Sequence, residues 1–246
     1  MSNDNPDELE RLRATGRVVA DAIRAMRAAV APGVTTGELD RIGARVFADG
    51  GARSGPQLDY GFPGATCISV NDEAVHGIPG PRRLRAGDLV KLDVTAELDG
   101  FYADACVSVA VGRTRPSLLG LIAAARHGLD DGLRAASAGV PLHRVGAAVE
   151  AAVRQRGHRV CRELAGHGIG RRIHEPPTVP SYADAEATER LTEGLVMTIE
   201  PIVSAGSGEV RIADDGWTVL TTDGAPSAHV EHTVVITSAA PLVLTA

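Results

Sequence analysis

The stretch LVKLDVTAELDGFYADACVSVAV, residues 89–111, reads as a β-hairpin. Asp99-Gly100 carries the chemistry of a tight two-residue turn, in which both positions need positive φ. On either side, apolar and polar residues alternate with the strand period of two. Leu92, Val94, Ala103 and Ala105 face one way, and Lys91, Asp93, Asp104 and Cys106 the other. Asp93 and Asp104 lie nearly symmetrically about the turn. They are expected to be close to cross-strand partners, with Cβ atoms roughly 5 Å apart. Such a pair reads equally as two solvated surface aspartates or as ligands for ions about 3.5–4 Å apart.

The flanking segments extend this unit. Leu9, Leu12, Val19, Ile23, Met26 and Val30 recur at helical spacing, which predicts an amphipathic helix over roughly Asp7 to Val30. Pro32-Gly33 ends it. Thr35 and Glu38 form a capping-box pattern that opens a second helix toward Ala48, and Gly50-Gly51 closes it. A Gly- and Pro-rich loop is expected up to Pro63, a short strand over Cys67 to Val70 and a turn over Val75 to Pro79. Beyond the hairpin, helices are predicted near Pro116 to Ala136 and Leu142 to Arg156. Strands are predicted near Leu195 to Ser204, Trp217 to Thr221 and Val230 to Thr237.

A faint internal repeat runs through these elements. Pro32-Gly33-Val34, a helix, then Gly51 and Arg53 matches Ala138-Gly139-Val140, a helix, then Gly157 and Arg159. At a nearly equal offset Asp93 falls on Glu200, and Asp104 then corresponds to Glu231. The two matches suggest a duplicated helix–helix–hairpin unit. The chain therefore reads as a mixed α/β (α+β) fold. It is expected to form one domain over residues 1–246, its first few residues a flexible tail, with the site between two pseudo-symmetric halves.

Composition narrows the function. The 246 residues, 44% hydrophobic and 23% charged, suffice for a substantial core of a soluble protein. Only 3% are aromatic, so small apolar residues must fill most of that core. A net charge of −6 argues against a nucleic-acid partner, and the short arginine runs at Arg82, Arg83 and Arg85 and at Arg171 and Arg172 read as solvated turns. The acidic start, Met1 to Glu10, is no signal peptide, and no apolar run has the length of a membrane span. Three cysteines, Cys67, Cys106 and Cys161, without close pairing fit a reducing cytoplasm rather than a disulfide framework.

Three more ionisable residues stand where charge is costly. Glu200 ends the apolar run Val196 to Ile199 and precedes Pro201, which suggests a strand edge or bulge. Glu231 sits just before the β-rich run Thr233 to Ile236. Each alone reads as an exposed strand-end glutamate. His167 lies in Gly166-His167-Gly168-Ile169-Gly170, where the glycines let the backbone bend and approach a ligand closely. Four carboxylates converging with this histidine on one pocket would repel, and some would take up protons, unless cations held them.

These segments closely resemble the type I methionine aminopeptidases, metallopeptidases of the pita-bread fold. The resemblance rests on Val75-His76-Gly77-Ile78-Pro79, Asp88 through Asp93 with Asp99-Gly100 and Asp104, and Gly166 through Gly170 with His174-Glu175-Pro176. It continues in Thr198-Ile199-Glu200-Pro201 and in Asp215-Gly216-Trp217-Thr218 through Glu231-His232-Thr233. It implies duplicated units around a curved antiparallel sheet, with two divalent metal ions between them. Asp104 and Glu231 would bridge the ions, Asp93 would chelate one, and His167 and Glu200 would bind the other. Glu200 would also shuttle a proton to the leaving amine. His76 and His174 would contact the substrate, His174 donating toward the developing oxyanion. Phe62, Cys67 and Trp217 would line the methionine pocket. The donor set is hard, which favours Mn(II) or Fe(II) over thiolate-type zinc sites; the family suggests Co(II) as an activator. Nascent polypeptide N-termini near the ribosome would be the substrates and a monomer the working form. The start of the chain, without a family extension, resembles the short bacterial form.

Three positions depart from the family pattern, and all are expected to bear on the specificity pocket rather than on the metals. Asp59, with Tyr60 beside it, stands where a tyrosine is usual. Ile173 replaces a common phenylalanine, and His229 a common glutamine. An Xaa-Pro aminopeptidase, a paralogue with altered first-residue choice and a non-catalytic relative are the competing readings.

Overall fold

A computed structural model describes residues 6–246, so the expected flexible tail lies outside the described residues. The first half contains α1 (Pro6–Ala29), α2 (Thr36–Asp49), β1 (Arg53–Ser54), α3 (Gly55–Tyr60), β2 (Cys67–Val70), β3 (Glu73–Val75), β4 (Leu89–Leu98) and β5 (Phe101–Ala110). The second contains α4 (Pro116–Ala135), α5 (Leu142–Gln155), β6 (Arg159–Val160), β7 (Ala165–Gly168), β8 (Glu175–Pro180), β9 (Val196–Ile199) and β10 (Ile202–Ser204). β11 (Val210–Ile212), β12 (Val219–Thr221), β13 (Ser227–His229), β14 (Glu231–Val235) and β15 (Leu242–Val243) complete it.

The hairpin is β4 and β5. Asp99 and Gly100 have φ of 51° and 82°, as the two-residue turn demands. Leu98 pairs with Phe101, and this register sets every other pair. Asp93 therefore lies opposite Cys106, and Asp104 opposite Thr95. The two aspartates are diagonal neighbours on one face, not cross-strand partners. A two-residue turn leaves them two pairs out of step, still on one face, which near-symmetry about the turn concealed.

The strands assemble into an antiparallel sheet in the order β1-β4-β5-β14-β9-β7-β8, with β2 also on β4 and β15 on β14. Its apolar face carries two helical layers. α1 and α2 bury Val19, Ile23, Met26, Leu39 and Phe47 against Leu92, Val94, Ala96, Ala103 and Ala105. α4 and α5 bury Leu121, Leu129, Val145, Val149 and Val153 against Met197, Ile199 and Val234. Small residues make that approach close: a Cβ on Gly132 of α4 would stand 2.8 Å from Val149 of α5.

The halves repeat one another in detail. The bridge Thr35–Arg83 of the first recurs as Pro141–Arg190 in the second. Gly33 N–H donates to the Leu84 carbonyl at 2.7 Å, and Gly139 N–H to that of Leu191 at 2.7 Å. Arg83 and Arg190 donate to the carbonyls of Gly33 and Gly139. The helix ends follow the sequence signals. At the start of α2, Thr35 Oγ1 accepts from Glu38 N–H, and Glu38 accepts from Thr35 N–H.

Several expectations change. The loop before Pro63 contains α3, capped by Ser54, with proline in its first turn and Gly61 left-handed after it. The strand expected over Leu195 to Ser204 breaks at Glu200-Pro201 into β9 and β10, which belong to different sheets. The strand expected over Val230 to Thr237 is β14, and the chain enters it across Val230 from β13, which belongs to another sheet. Lys91, on the polar face of β4, is buried, and its ammonium donates to the Asn71 carbonyl and to Ser227. β7 and β8 escape notice because glycine and proline dominate them. Their glycines let backbones nearly touch: a Cβ on Gly168 would lie 2.1 Å from the Pro176 carbonyl oxygen.

Gly168→Ala should therefore cost about 1–3 kcal/mol by overpacking, and more if β8 cannot shift. Gly120→Ala, on the open face of α4 with nothing near its Cβ, should instead stabilise by about 0.5–1 kcal/mol. Urea unfolding of both variants checks this. Equal midpoints would contradict the claimed close approach.

Candidate metal centre

Sheet register explains why the acidic residues meet. Cross-strand partners share a face, and Cys67, Asp93, Cys106 and Glu231 form one row across β2, β4, β5 and β14. Thr233 and Thr198 pair in the neighbouring row. Thr233 ties the halves together, its hydroxyl bonding both N–H and C=O of Asp104 at 2.8 Å. Glu200 follows β9 at the point where the chain leaves the large sheet, and Glu231 opens β14 after the matching break. Thr198 Oγ1 donates to Glu200 Oε1 at 2.7 Å and accepts from His167 N–H at 3.0 Å.

These residues line a cavity of about 390 Å³. Asp104, Glu200 and Glu231 are only 6%, 8% and 2% exposed. Asp93 and His167 are partly buried beside them. One ligand atom each from Asp104, His167 and Glu231 lies within 4.8 Å of the others, as do those of Glu200, His229 and Glu231. His167 Nε2 is 3.5 Å from Glu200 Oε1. All five sequence-expected ligands thus share one site.

Burial drives the electrostatics. It raises Asp104 to about 6 and Glu200 to about 8. Asp93 and Glu231 are pushed well above the usual carboxylate range, first by burial and then by neighbouring carboxylates. Asp93 shares a hydrogen bond with Asp104, and Glu231 with Glu200. Two protons thereby relieve a repulsion that cations would otherwise relieve. Asp104 Oδ1 and Glu231 Oε1 nonetheless remain buried without a hydrogen-bond partner. His167 Nδ1 meets the Gly168 carbonyl at 3.0 Å; an N–H there leaves the Nε2 lone pair facing the carboxylates. Orphaned acid oxygens and an oriented imidazole fit a divalent cation.

The surroundings include both other histidines of interest. His76 and His174 are exposed within the cavity, and the cavity walls lower both, His76 to about 4. His76 has a φ of 56°, left-handed for a non-glycine residue, where the chain leaves β3. The His174 and His167 rings meet edge to face, with centroids 4.2 Å apart. Phe62, Cys67, Ile173 and Trp217 line the cavity, and Phe62 and Trp217 pack edge to face at 5.3 Å. Of the three departures, only Ile173 behaves simply as pocket wall. Asp59 turns away to accept from Tyr102 O–H. His229 belongs beside the acid cluster, with Nε2 3.6 Å from both Glu200 and Glu231. Its position two residues before Glu231, on the same side of the chain, was the available signal.

Without metal, the raised carboxyl groups favour folding while protonated, so their contribution disappears as pH rises through the folded-state values. Above about pH 7.5 the histidines are largely neutral whether the chain is folded or not. Buried Lys91, lowered to about 7, has the opposite pH dependence, so the carboxyls are isolated by comparing chelated with metal-loaded protein. Relative to metal-loaded protein, chelated protein should lose stability as pH rises from about 7.5 through about 8, at up to ~1.4 kcal/mol per pH unit for each carboxyl still protonated there. Thermal melts across pH, with and without Mn(II), check this. A difference between the two that does not change with pH would contradict the electrostatics.

The profile of metallopeptidase family M24 matches residues 10–238. The chain is 42% identical over 243 residues to methionine aminopeptidase 2 of Bacillus subtilis, covering 98% of each. It is 40% identical over 241 residues to the methionine aminopeptidase of Escherichia coli, covering 96% of this chain and 90% of the relative. The crystal structure of the methionine aminopeptidase of Thermotoga maritima superposes with a TM-score of 0.96 at 34% identity, covering 100% of this chain and 99% of that one. The prolidase of Pyrococcus furiosus, 20% identical over 98% of this chain and 64% of its own, superposes at 0.79 and shares the pita-bread fold. Sequence and fold agree across nearly the whole length: the chain belongs to metallopeptidase family M24 and binds divalent metal.

Proposed function

We propose that this enzyme removes the N-terminal methionine from nascent proteins and peptides by hydrolysing their first peptide bond. The observation that carries the reading is a cluster of buried, partly orphaned carboxylates beside a pocket walled by Phe62, Cys67, Ile173 and Trp217. Its likeness to methionine aminopeptidases over nearly its full length supports the substrate.

Asp93, Asp104, His167, Glu200 and Glu231 would hold two divalent ions. Mn(II) or Fe(II) suits this hard donor set, with Co(II) as an activator in vitro and Zn(II) a further candidate. Such a pair supplies an acidified water and a Lewis acid for the scissile carbonyl. The rest falls to the protein. Glu200 accepts a proton and returns it to the leaving amine. His174 donates a hydrogen bond toward the developing oxyanion, and His76 holds the peptide backbone beside the scissile bond. Phe62, Cys67 and Trp217 wall the side-chain pocket. Ile173 reshapes that wall, and such a change shifts substrate choice by only about 1–3 kcal/mol.

The same reading makes residues 1–246 one catalytic domain, working as a monomer in the cytoplasm on chains emerging near the ribosome. Three buried free cysteines accord with a reducing compartment.

Release of methionine from Met-Ala-Ser, with and without chelator and after metal add-back, tests the proposal. Activity should vanish on chelation, return with Mn(II), Fe(II) or Co(II), and exceed that on Ala-, Leu- or Xaa-Pro-initiated peptides. Faster cleavage of Xaa-Pro peptides would overturn the substrate. His76→Ala should lower kcat far more than metal content, and unchanged turnover would remove His76 from the mechanism.

A further inference from the structure

Asp59 and Tyr60 end α3 at the rim of the cavity, and each reaches the segment that carries His174. Tyr60 Oη lies 2.5 Å from His174 Nδ1, and the two rings are tilted with centroids 5.6 Å apart. Asp59 Oδ2 accepts from Ile173 N–H at 3.3 Å, while its other oxygen accepts from Tyr102 O–H at 2.8 Å. Asp59 thus ties the end of α3 both to β5 and to the residue just before His174. Gly61, left-handed at φ 67°, turns the chain immediately afterwards, so Tyr60 is set at the edge rather than inside.

We propose that Tyr60 is a positioning residue for His174, fixing the tautomer and direction of its ring, and that Asp59 holds the two backbones in register for that contact. A phenol is a stronger hydrogen-bond donor than a neutral imidazole N–H. Tyr60 therefore donates to Nδ1, which places the ring proton on Nε2. That nitrogen is the one left to donate to a substrate oxygen. On the other side, the His167 ring packs edge-on against His174, so the imidazole is held from two directions. His167 is oriented by a backbone carbonyl; His174 is oriented by a side chain from the end of α3. The pair Asp59-Tyr60, which replaces the usual family pattern, is thereby assigned to orienting a substrate-contacting histidine rather than to the methionine pocket.

This rests on the role proposed above for His174, and the experiment separates the two. Tyr60→Phe removes only the hydroxyl from a side chain that is 49% exposed, so folding is not at risk. With metal-loaded enzyme and Met-Ala-Ser, kcat should fall about tenfold or more while KM and metal content change little. Nitrogen-15 NMR of the imidazoles should show His174 as the Nε2–H tautomer in the native protein and as a mixture in Tyr60→Phe. Unchanged kcat together with an unchanged tautomer would overturn the proposal. His174→Ala, run in parallel, should lose at least as much kcat as Tyr60→Phe. If it keeps full turnover, the role of His174 fails, and with it any function for Tyr60 in this reaction.

Discussion

The mutual repulsion of four carboxylates brought together on one sheet face is the constraint on which the rest of this protein depends. Asp104, Glu200 and Glu231 are almost wholly shielded from solvent, and Asp93 leans on them from β4. A cluster of that kind can hold protons or cations, but not its bare charge. Without metal, two shared hydrogen bonds and strongly raised proton affinities supply the first solution, yet acid oxygens stay unpartnered. Divalent ions supply the second, and they bring the chemistry of a hydrolase with them.

Holding such a cluster shapes the scaffold around it. The sheet is two-faced: apolar residues on one side anchor four long helices, and ionisable residues on the other line the cavity. Each half contributes part of the site. β4 and β5 bring Asp93 and Asp104, and the second half brings His167, Glu200 and Glu231. The halves join where β5 pairs with β14, at Cys106 opposite Glu231. Both later strands switch sheets beside their glutamates, so that Glu200 and Glu231 stand at strand ends turned inward. Glycine on both sides of His167 permits backbone approaches that no other residue would allow. Hydroxyls of Thr198 and Thr233 then fix the acids and the histidine relative to one another.

Much of this is legible in the sequence because local chemistry dictates it. Asp99-Gly100 specifies its turn, Thr35 and Glu38 their cap, and the periodic residues of α1 their buried stripe. The repeat pairs Asp93 with Glu200 at nearly the offset that the repeated hydrogen bonds of the two halves follow, and Asp104 with Glu231 at a larger one. What escapes is set by register and tertiary contact. Counting from the turn makes Asp93 and Asp104 diagonal, although their side chains still meet. β7 and β8 pair despite glycine and proline, because tertiary packing overrides their poor strand propensity. Asp59 and His229 look like pocket substitutions in sequence. In space, one braces the His174 segment and the other faces two acids.

Diffraction from crystals grown with Mn(II), recorded for anomalous scattering by manganese, tests the central claim most directly. The account predicts two strong peaks flanked by Asp93, Asp104, His167, Glu200 and Glu231, with Asp104 and Glu231 contacting both. Peaks elsewhere, or none within this cluster at saturating metal, would contradict it.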